Sequence, residues 1–356
     1  MLDKNNQKAP HVLIVGYYGM GNAGDNHCLF KTIALIKEHI PKKNIQILYH
    51  PNHENLPKNT VGINRWKWKE MHQAIKTCDH IILGGGSLLQ NKSSKKSLWY
   101  YLTLLLVAKW QKKNILLLGQ GFENIRGRFT KMILKRILNK TQMITVRDVP
   151  SQTLLTQLGI TQPIYTISDL SFYNPKVQNI PVSEDPIILA ISLKEQSQLN
   201  TIIQGVQTTC ELHPYQTMFI ALDEKEDTHP YQVLHKKHPI TYWKLNQHLQ
   251  LYPIPQSLPT LLISMRYHSC VWASIHQIPF LALSDDPKLK HLSKSLDQPF
   301  LSLSKPITKQ DLLQAITNIE SDYPKYKKKL QNAAMTQIQM AQKYPELIQA
   351  YFHENN

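Results

Sequence analysis

The sequence predicts an α/β protein made of two doubly wound, parallel-sheet domains facing a cleft. Three observations predict it. Short apolar runs alternate with longer segments of helical period, as strand and helix units on a parallel sheet do. This alternation occurs twice, on either side of the proline- and polar-rich stretch NPKVQNIPVSEDP at 174–186. A length of 356 residues also exceeds one average domain and suits two of about 150 to 180 residues.

In the first half the runs are HVLIVGYY (11–18), NIQILYH (44–50), HIILGGG (80–86), NILLLGQG (114–121), MITVRD (143–148) and PIYTISD (163–169). Helices fit between them. Asn26 to Ile40 places Leu29, Ile33, Ile36 and Ile40 on one face, and Ser151 to Leu158 carries Leu154, Leu155 and Leu158. The second half restarts with PIILAISL, QTMFIALD, ITYWKL, TLLISMR and IPFLALS. Thr308 stands three residues before Asp311, a capping-box-like start for LLQAITNI, and a long helical segment then runs from Tyr323 to about Tyr351. The expected division is a first domain over 1–178, a second over 186–310, and C-terminal helices over 311–356 that are free to pack back on the first domain.

Composition bounds the partners. Lysine and arginine outnumber aspartate and glutamate by 41 to 25, so the surface field favours anions such as phosphorylated substrates, acidic lipids or nucleic acid. No segment resembles a sequence-specific nucleic-acid module, so no nucleic-acid partner is expected. Cys28, Cys78, Cys210 and Cys270 are isolated, with no CxxC pair and no signal-peptide pattern, which fits a reducing cytoplasm. The apolar stretch Leu98 to Ala108 is about half of what a bilayer crossing requires and reads as a buried helix.

Sixteen histidines invite a metal reading, yet no HExxH, CxxC or EF-hand loop occurs, and the acidic cluster Asp223 to Asp227 reads as a solvated loop. No metal is expected. Arg126, Arg128, Lys131, Lys135, Arg136 and Lys140 accompany Phe129, Ile133, Leu134, Ile137 and Leu138 in an amphipathic helix. That pattern suits peripheral contact with an anionic membrane, and more readily a helix packed on its sheet with a solvated basic face.

Doubly wound sheets bind ligands outside the carboxyl ends of their strands, so the chemistry is expected there. The first run passes through Gly16 to Asp25 into a helix, offering backbone N–H groups and a helix N-terminus to an anion or a sugar. Gly19, Gly21 and Gly24 match GxGxxG around Asn22, but the second strand ends Leu48-Tyr49-His50 without the acidic ribose ligand of a dinucleotide site. Asp25 suits either helix capping or a catalytic or hydroxyl-binding role. Gly85, Gly86 and Ser87 end the third run and Gln120 the fourth, where glycine allows close backbone approach to a ligand. Packing of tight strand-to-helix turns would also explain each glycine group alone.

Arg147 ends the fifth run, Arg266 and His268 end a run of the second half, and Lys288 lies in the DDPK turn beyond the next. A guanidinium matches a carboxylate or phosphate in bidentate geometry, and an imidazole donates a proton near neutral pH. Other readings exist for each: Arg147 pairing with Asp148 or Asp169, His268 as a cap or a core residue, and DDPK as ordinary turn chemistry.

The segments GYYGMGNAGD (16–25), NRW (64–66), LGGGSLLQN with the following S-x-x-S-x-x-YY (83–101), GQG (119–121), TVRD (145–148), MRYH (265–268) and DDPK (285–288) resemble, in order, the polysaccharide pyruvyl transferase family, from Val12 to about Leu292. The resemblance implies two Rossmann-like domains similar to the GT-B glycosyltransferase fold. It implies transfer of the enolpyruvyl carbons of phosphoenolpyruvate to a sugar of a cell-surface polysaccharide precursor as a cyclic ketal, with loss of phosphate and no cofactor. On the same ground His268 is the general acid, Arg266, Arg147 and Lys288 are carboxylate and phosphate ligands, and the second domain is the phosphoenolpyruvate side. The Gly16–Asp25 loop then serves a saccharide acceptor, lipid-linked or free. Asn91, Phe122-Glu123-Asn124 and Ser168-Asp169-Leu170 depart from the family pattern. The alternatives are a nucleotide-sugar glycosyltransferase, disfavoured because no acidic residue follows His268 before Asp285, and a degenerate ligand-binding member, disfavoured by the retained cationic set.

Overall fold

The computed structural model describes residues 9–51, 56–91, 94–123, 125–183, 187–213 and 215–355. The chain forms two compact units: Met1–Met20 with Asp25–Tyr173 and Met340–Asn356, and Gly21–Gly24 with Asn174–Gln339. Residues 311–339 therefore belong with the second unit and only the last turns of the tail with the first. Position 124, one of the departures from the family pattern, lies outside the described residues.

In the first unit seven strands, β1 (Val12–Val15), β2 (Ile45–Tyr49), β3 (Val61–Asn64), β4 (His80–Gly84), β5 (Asn114–Gln120), β6 (Met143–Val146) and β7 (Ile164–Thr166), form one sheet in the order β3-β2-β1-β4-β5-β6-β7. All six pairings are parallel. Helices α1 (Ala23–Ile36), α2 (Trp68–Thr77), α3 (Lys95–Trp110), α4 (Arg128–Leu138) and α5 (Val149–Gln157) alternate with the strands. The central strands are apolar on both sides because helices cover both faces of such a sheet; every residue of β1 and β4 is buried.

The second unit repeats the plan. Strands β8 (Ile188–Ser192), β9 (Gln216–Ala221), β10 (Thr241–Leu245), β11 (Leu251–Tyr252), β12 (Leu261–Ser264), β13 (Phe280–Ser284) and β14 (Phe300–Ser302) run in the order β11-β10-β9-β8-β12-β13-β14, with β11 alone antiparallel. Helices α6 (Leu199–Leu212), α7 (Glu224–His235), α8 (Tyr267–Ile275), α9 (Pro287–Ser295), α10 (Lys309–Ser321) and α11 (Tyr323–Ala341) follow. The capping box at the start of α10 is present, with Thr308 and Asp311 exchanging side-chain and backbone hydrogen bonds.

Three strands carry no clear signal in the sequence. β3, β11 and β14 are edge strands of two to four residues, largely exposed or half-buried, and lack the apolar run that two covered faces demand. The Leu98–Ala108 run is not a wholly buried helix either. In α3 the side chains of Leu98, Tyr101, Leu102, Leu104, Leu105 and Ala108 face the core, while Trp99, Leu106 and Trp110 face outward. Among the described residues no helix is long and apolar enough to cross a membrane.

The tail ends in α12 (Lys343–Asn355), which folds with the first unit. Tyr344, Ile348, Tyr351 and Phe352 are all buried. The Tyr344 hydroxyl donates to the Ser168 carbonyl at 2.7 Å, and the Tyr351 hydroxyl meets His80 Nδ1 at 2.8 Å. Burial holds His80 below its ordinary pKa, so its neutral ring suits this contact. Phe352 stacks on His39 at 5.1 Å between centroids and meets His80 edge-on at 5.3 Å. Emptying that site leaves a cavity, so Phe352→Ala is expected to cost about 3 to 5 kcal/mol and to lower the melting temperature of the first unit. A melting curve that does not move would show that α12 does not stabilise this unit.

Candidate functional site

Each sheet reverses its winding once. In the first unit the reversal lies between β1 and β4, and in the second between β8 and β12. At such a point the loops leaving two adjacent strands diverge, which opens a crevice at their carboxyl ends.

In the first unit the loop after β1 is tied to the end of β4 by Tyr18, whose buried hydroxyl donates to the Gly84 carbonyl at 2.5 Å. The Gly19 N–H donates to Asn26 Oδ1 at 3.0 Å, closing the loop onto the first turn of α1. Gly85 and Gly86 both lie in the left-handed region, at φ 71° and 79°, which side-chain-bearing residues adopt only with strain. Their turn is braced by Gln120, which is wholly buried and donates from Nε2 to the Gly85 carbonyl at 2.7 Å. Gln120 therefore acts on the shape of the turn. Asp25, in the first turn of α1, faces this turn, with Oδ1 3.4 Å from where a side chain on Gly86 would begin.

Arg147 is buried. Its Nη1 lies 3.4 Å from Asp169, its Nε 3.6 Å from Asp148, and its Nη2 donates to the Ser87 hydroxyl at 3.0 Å. Both expected carboxylate partners are thus engaged, and Ser87 completes the set. Asp148 also caps α5 by accepting from the Ser151 N–H at 2.8 Å.

Arg65, which the sequence marks only as part of NRW, organises the mouth of this unit. It is 5% exposed, donates to the Gly16 carbonyl at 3.2 Å, and lies 5.4 to 5.6 Å from the rings of Tyr17, Trp66 and Tyr100. Tyr17 and Trp66 are exposed, which leaves an aromatic surface beside the β1 loop.

In the second unit Arg266, the N-cap residue of α8 just past β12, forms ion pairs with Glu226 at 2.7 Å and, more closely, with Asp227. Asp227 is fully buried and accepts from the N–H groups of Leu222 and Asp223 at 2.8 and 3.0 Å. The cluster expected as a solvated loop is therefore the first turn of α7, held down by a buried carboxylate. Its run of charged residues hides that role because one buried acid is enough to anchor the turn. Burial would lower the Arg266 pKa, but Asp227 and Glu226 outweigh it and hold the guanidinium above its ordinary value. Burial pushes the Asp227 carboxyl up, against the pull of Arg266 and the two N–H groups.

Lys194, just past β8, was not anticipated. Burial holds its ammonium below the ordinary lysine pKa, and the like charges of Lys288 and Arg266 depress it further. These three cations thus share one field at the ends of the adjacent strands β8, β12 and β13. Lys288 sits in the first turn of α9, a third exposed, with Nζ 3.3 Å from Asp286, the N-cap of that helix.

His268 lies in the first turn of α8. Residues 21–24 count with this unit and approach it closely. The Ala23 N–H donates to the Leu222 carbonyl at 2.9 Å, and Asn22 Oδ1 accepts from the Gly24 N–H at 2.9 Å. Gly21 lies near Asp223, with a Cβ position 3.6 Å from Oδ1. A Cβ on Gly24 would fall 2.0 Å from His268 Nδ1, so only glycine leaves room for the imidazole.

The structure thus brings Arg266, His268 and Lys288 together with Gly21, Asn22 and Gly24 in one unit. Gly19, Asp25, Gly85, Gly86, Ser87, Gln120 and Arg147 gather in the other. A cavity of about 970 Å³ lies at the opposite, amino ends of β8, β9 and β10, lined by Tyr215, Trp243 and His238 among others, and holds none of these residues.

Solved proteins of the same fold include glycosyltransferases of the GT-B class. HepE from Anabaena, solved with UDP and glucose, is 11% identical over 97% of this chain and 100% of its own, with a TM-score of 0.59. A putative UDP-N-acetylglucosamine 2-epimerase from Listeria monocytogenes is 10% identical over 98% of each chain, with a TM-score of 0.63. A glycosyltransferase from Rickettsia africae is 13% identical over 97% of this chain and 99% of its own, at 0.61. At these identities the likeness concerns the fold alone. No curated protein matches the sequence. The chain belongs to the polysaccharide pyruvyl transferase family, whose sequence profile matches residues 22–249.

Because Gly24 and His268 compete for the same space, Gly24→Ala is expected to displace the imidazole while both sheets stay folded. The ring ¹H–¹⁵N correlations of His268 should shift in NMR spectra. Unchanged correlations would mean that Gly24 does not set the position of His268.

Proposed function

We propose that the protein transfers the enolpyruvyl carbons of phosphoenolpyruvate onto two hydroxyls of one sugar in a polysaccharide precursor, forming a cyclic ketal and releasing phosphate. Membership of the family gives a transferase acting in polysaccharide synthesis. The observation that carries the finer reading is the cationic set Lys194, Arg266 and Lys288 beside His268, at the winding reversal of the second sheet.

Phosphoenolpyruvate carries a phosphate and a carboxylate, and its chemistry starts with a proton. His268 donates that proton to C3, which becomes a methyl group, and C2 gains oxocarbenium character. One sugar hydroxyl adds to C2, phosphate leaves with the C2–O bond electrons, and the second hydroxyl adds in its place. The two hydroxyl protons balance the proton consumed at C3 and the one that leaves with phosphate or solvent.

Lys194 and Lys288 suit the anionic groups of the donor, as compact charges that reach solvent. Arg266, already paired with Asp227 and Glu226, adds field and fixes the strand end that carries His268. Arg147 does the same for the Gly85–Gly86 turn through Ser87 and Asp169. Asp25 and the Gly16–Asp25 loop are assigned to the acceptor hydroxyls, with Tyr17 and Trp66 as stacking surface for a sugar ring. No step requires a cofactor or a metal, and the reaction is assigned to the cytoplasm.

Calorimetric titration with phosphoenolpyruvate tests this reading, with UDP-glucose and NADH as controls. Saturable binding is expected for phosphoenolpyruvate alone, and Lys194→Met should weaken it roughly 10- to 100-fold, as loss of a charge-assisted contact does. The ammonium binds an anion only while protonated. Affinity should therefore fall as pH rises through the depressed Lys194 pKa, below the value of about 10.4 for a free lysine. Binding of UDP-glucose in place of phosphoenolpyruvate would instead favour a glycosyltransferase.

A further inference from the structure

The outward face of α3 and the exposed arc of α4 carry a second feature that the transferase chemistry does not use. On α3 the large side chains at Trp99, Leu106 and Trp110 recur at intervals of seven and four residues, which places them in one stripe. They are 37%, 41% and 79% exposed. On the neighbouring α4, Phe129 and Met132 are 61% and 41% exposed, and the Phe129 ring stacks on Trp99 at 6.0 Å between centroids. The two helices thus present one continuous apolar strip, where a soluble surface would scatter such residues singly.

The charges carried by the two helices have one sign. Lys95 and Lys96 open α3 and Lys112 follows it; Arg128, Lys131, Lys135 and Arg136 lie on α4, with Arg126 just before it. All of these are exposed, and neither helix contains an aspartate or a glutamate. The inner face of α4 is accounted for separately, since Thr130, Leu134, Ile137 and Leu138 are buried in the unit. The exposed arc is therefore surplus to folding.

We infer that this face docks the protein on an anionic membrane surface. Tryptophan and phenylalanine settle at the boundary between headgroups and acyl chains, and lysine and arginine beside them attract acidic headgroups. An acidic protein partner would match the charge, but it would place acceptors against a strip whose centre offers only Trp, Leu, Phe and Met. A second copy of this chain would set the same cations against one another. The membrane alone satisfies both parts of the face. This inference does not depend on the donor or on the reaction.

Co-sedimentation of the full chain with phosphatidylcholine vesicles containing about 30% phosphatidylglycerol tests it, with pure phosphatidylcholine vesicles as control. Binding is expected only to the acidic vesicles and should be lost at about 1 M salt, where the screening length falls to about 3 Å. The double variant Trp110→Ser/Phe129→Ser and the double variant Lys131→Glu/Arg136→Glu should each reduce the bound fraction at least roughly tenfold. All four positions are exposed, so far-ultraviolet circular dichroism and phosphoenolpyruvate binding should match the parent protein. Absence of vesicle binding, or binding that neither variant changes, would overturn the proposal. So would a concentration-dependent dimer that Trp110→Ser/Phe129→Ser disperses.

Discussion

The buried pair between Arg266 and Asp227 is the constraint on which the second unit's candidate site depends. Asp227 is rooted by the N–H groups of Leu222 and Asp223 just past β9, and Arg266 stands just past β12. Between those two strands lies β8, so the pair spans the strand whose end carries Lys194. Removing Arg266 would strip the buried Asp227 carboxylate of its opposite charge, a change that costs far more than loss of an exposed pair. The pair is therefore less a source of net stability than a device that fixes where three strand ends stand. It also explains how Arg266 and Lys194 tolerate each other: Asp227 and Glu226 balance the guanidinium, while burial, with the like charges of Lys288 and Arg266, lowers the Lys194 pKa against the opposing pull of Asp286 and Asp285.

The first unit uses the same device in a different form. Arg147 is held between Asp169, Asp148 and Ser87, and Gly121 is needed because any side chain there would meet the guanidinium, 2.6 Å from a Cβ. Arg65 supports the opposite side of the loop through the Gly16 carbonyl. Buried arginines thus shape both carboxyl edges, and the groups left to meet a ligand are the shorter or more mobile ones. A fold of this class supports many chemistries, so the functional reading rests on those groups rather than on the architecture.

The parallel sheets were legible because burial on both faces forces unbroken apolar runs such as Val12–Val15 and Leu261–Ser264. The edge strands β3, β11 and β14 were not, since one covered face and a few residues leave no pattern to read. Glycines, Arg147, Arg266, His268 and Lys288 stood out because they follow such runs directly. Lys194 follows one too, but in ISLKEQ, where nothing in its neighbours separates a site lysine from a surface one. Asp227 was hidden by the other acids around it, and the outward stripe of α3 by the apolar residues that surround it on every side. In each case the missing information was which face of an element is covered, which depends on partners distant in sequence.

The central claim is that the donor's anionic groups lie at the carboxyl ends of β8, β12 and β13, within reach of His268. A crystal structure of the protein with phosphoenolpyruvate bound tests this most directly. The account predicts phosphate and carboxylate density within hydrogen-bond distance of Lys194 and Lys288, with C3 facing the His268 imidazole. Density at the β1 and β4 ends of the first unit, with the second unit's cations empty, would contradict it.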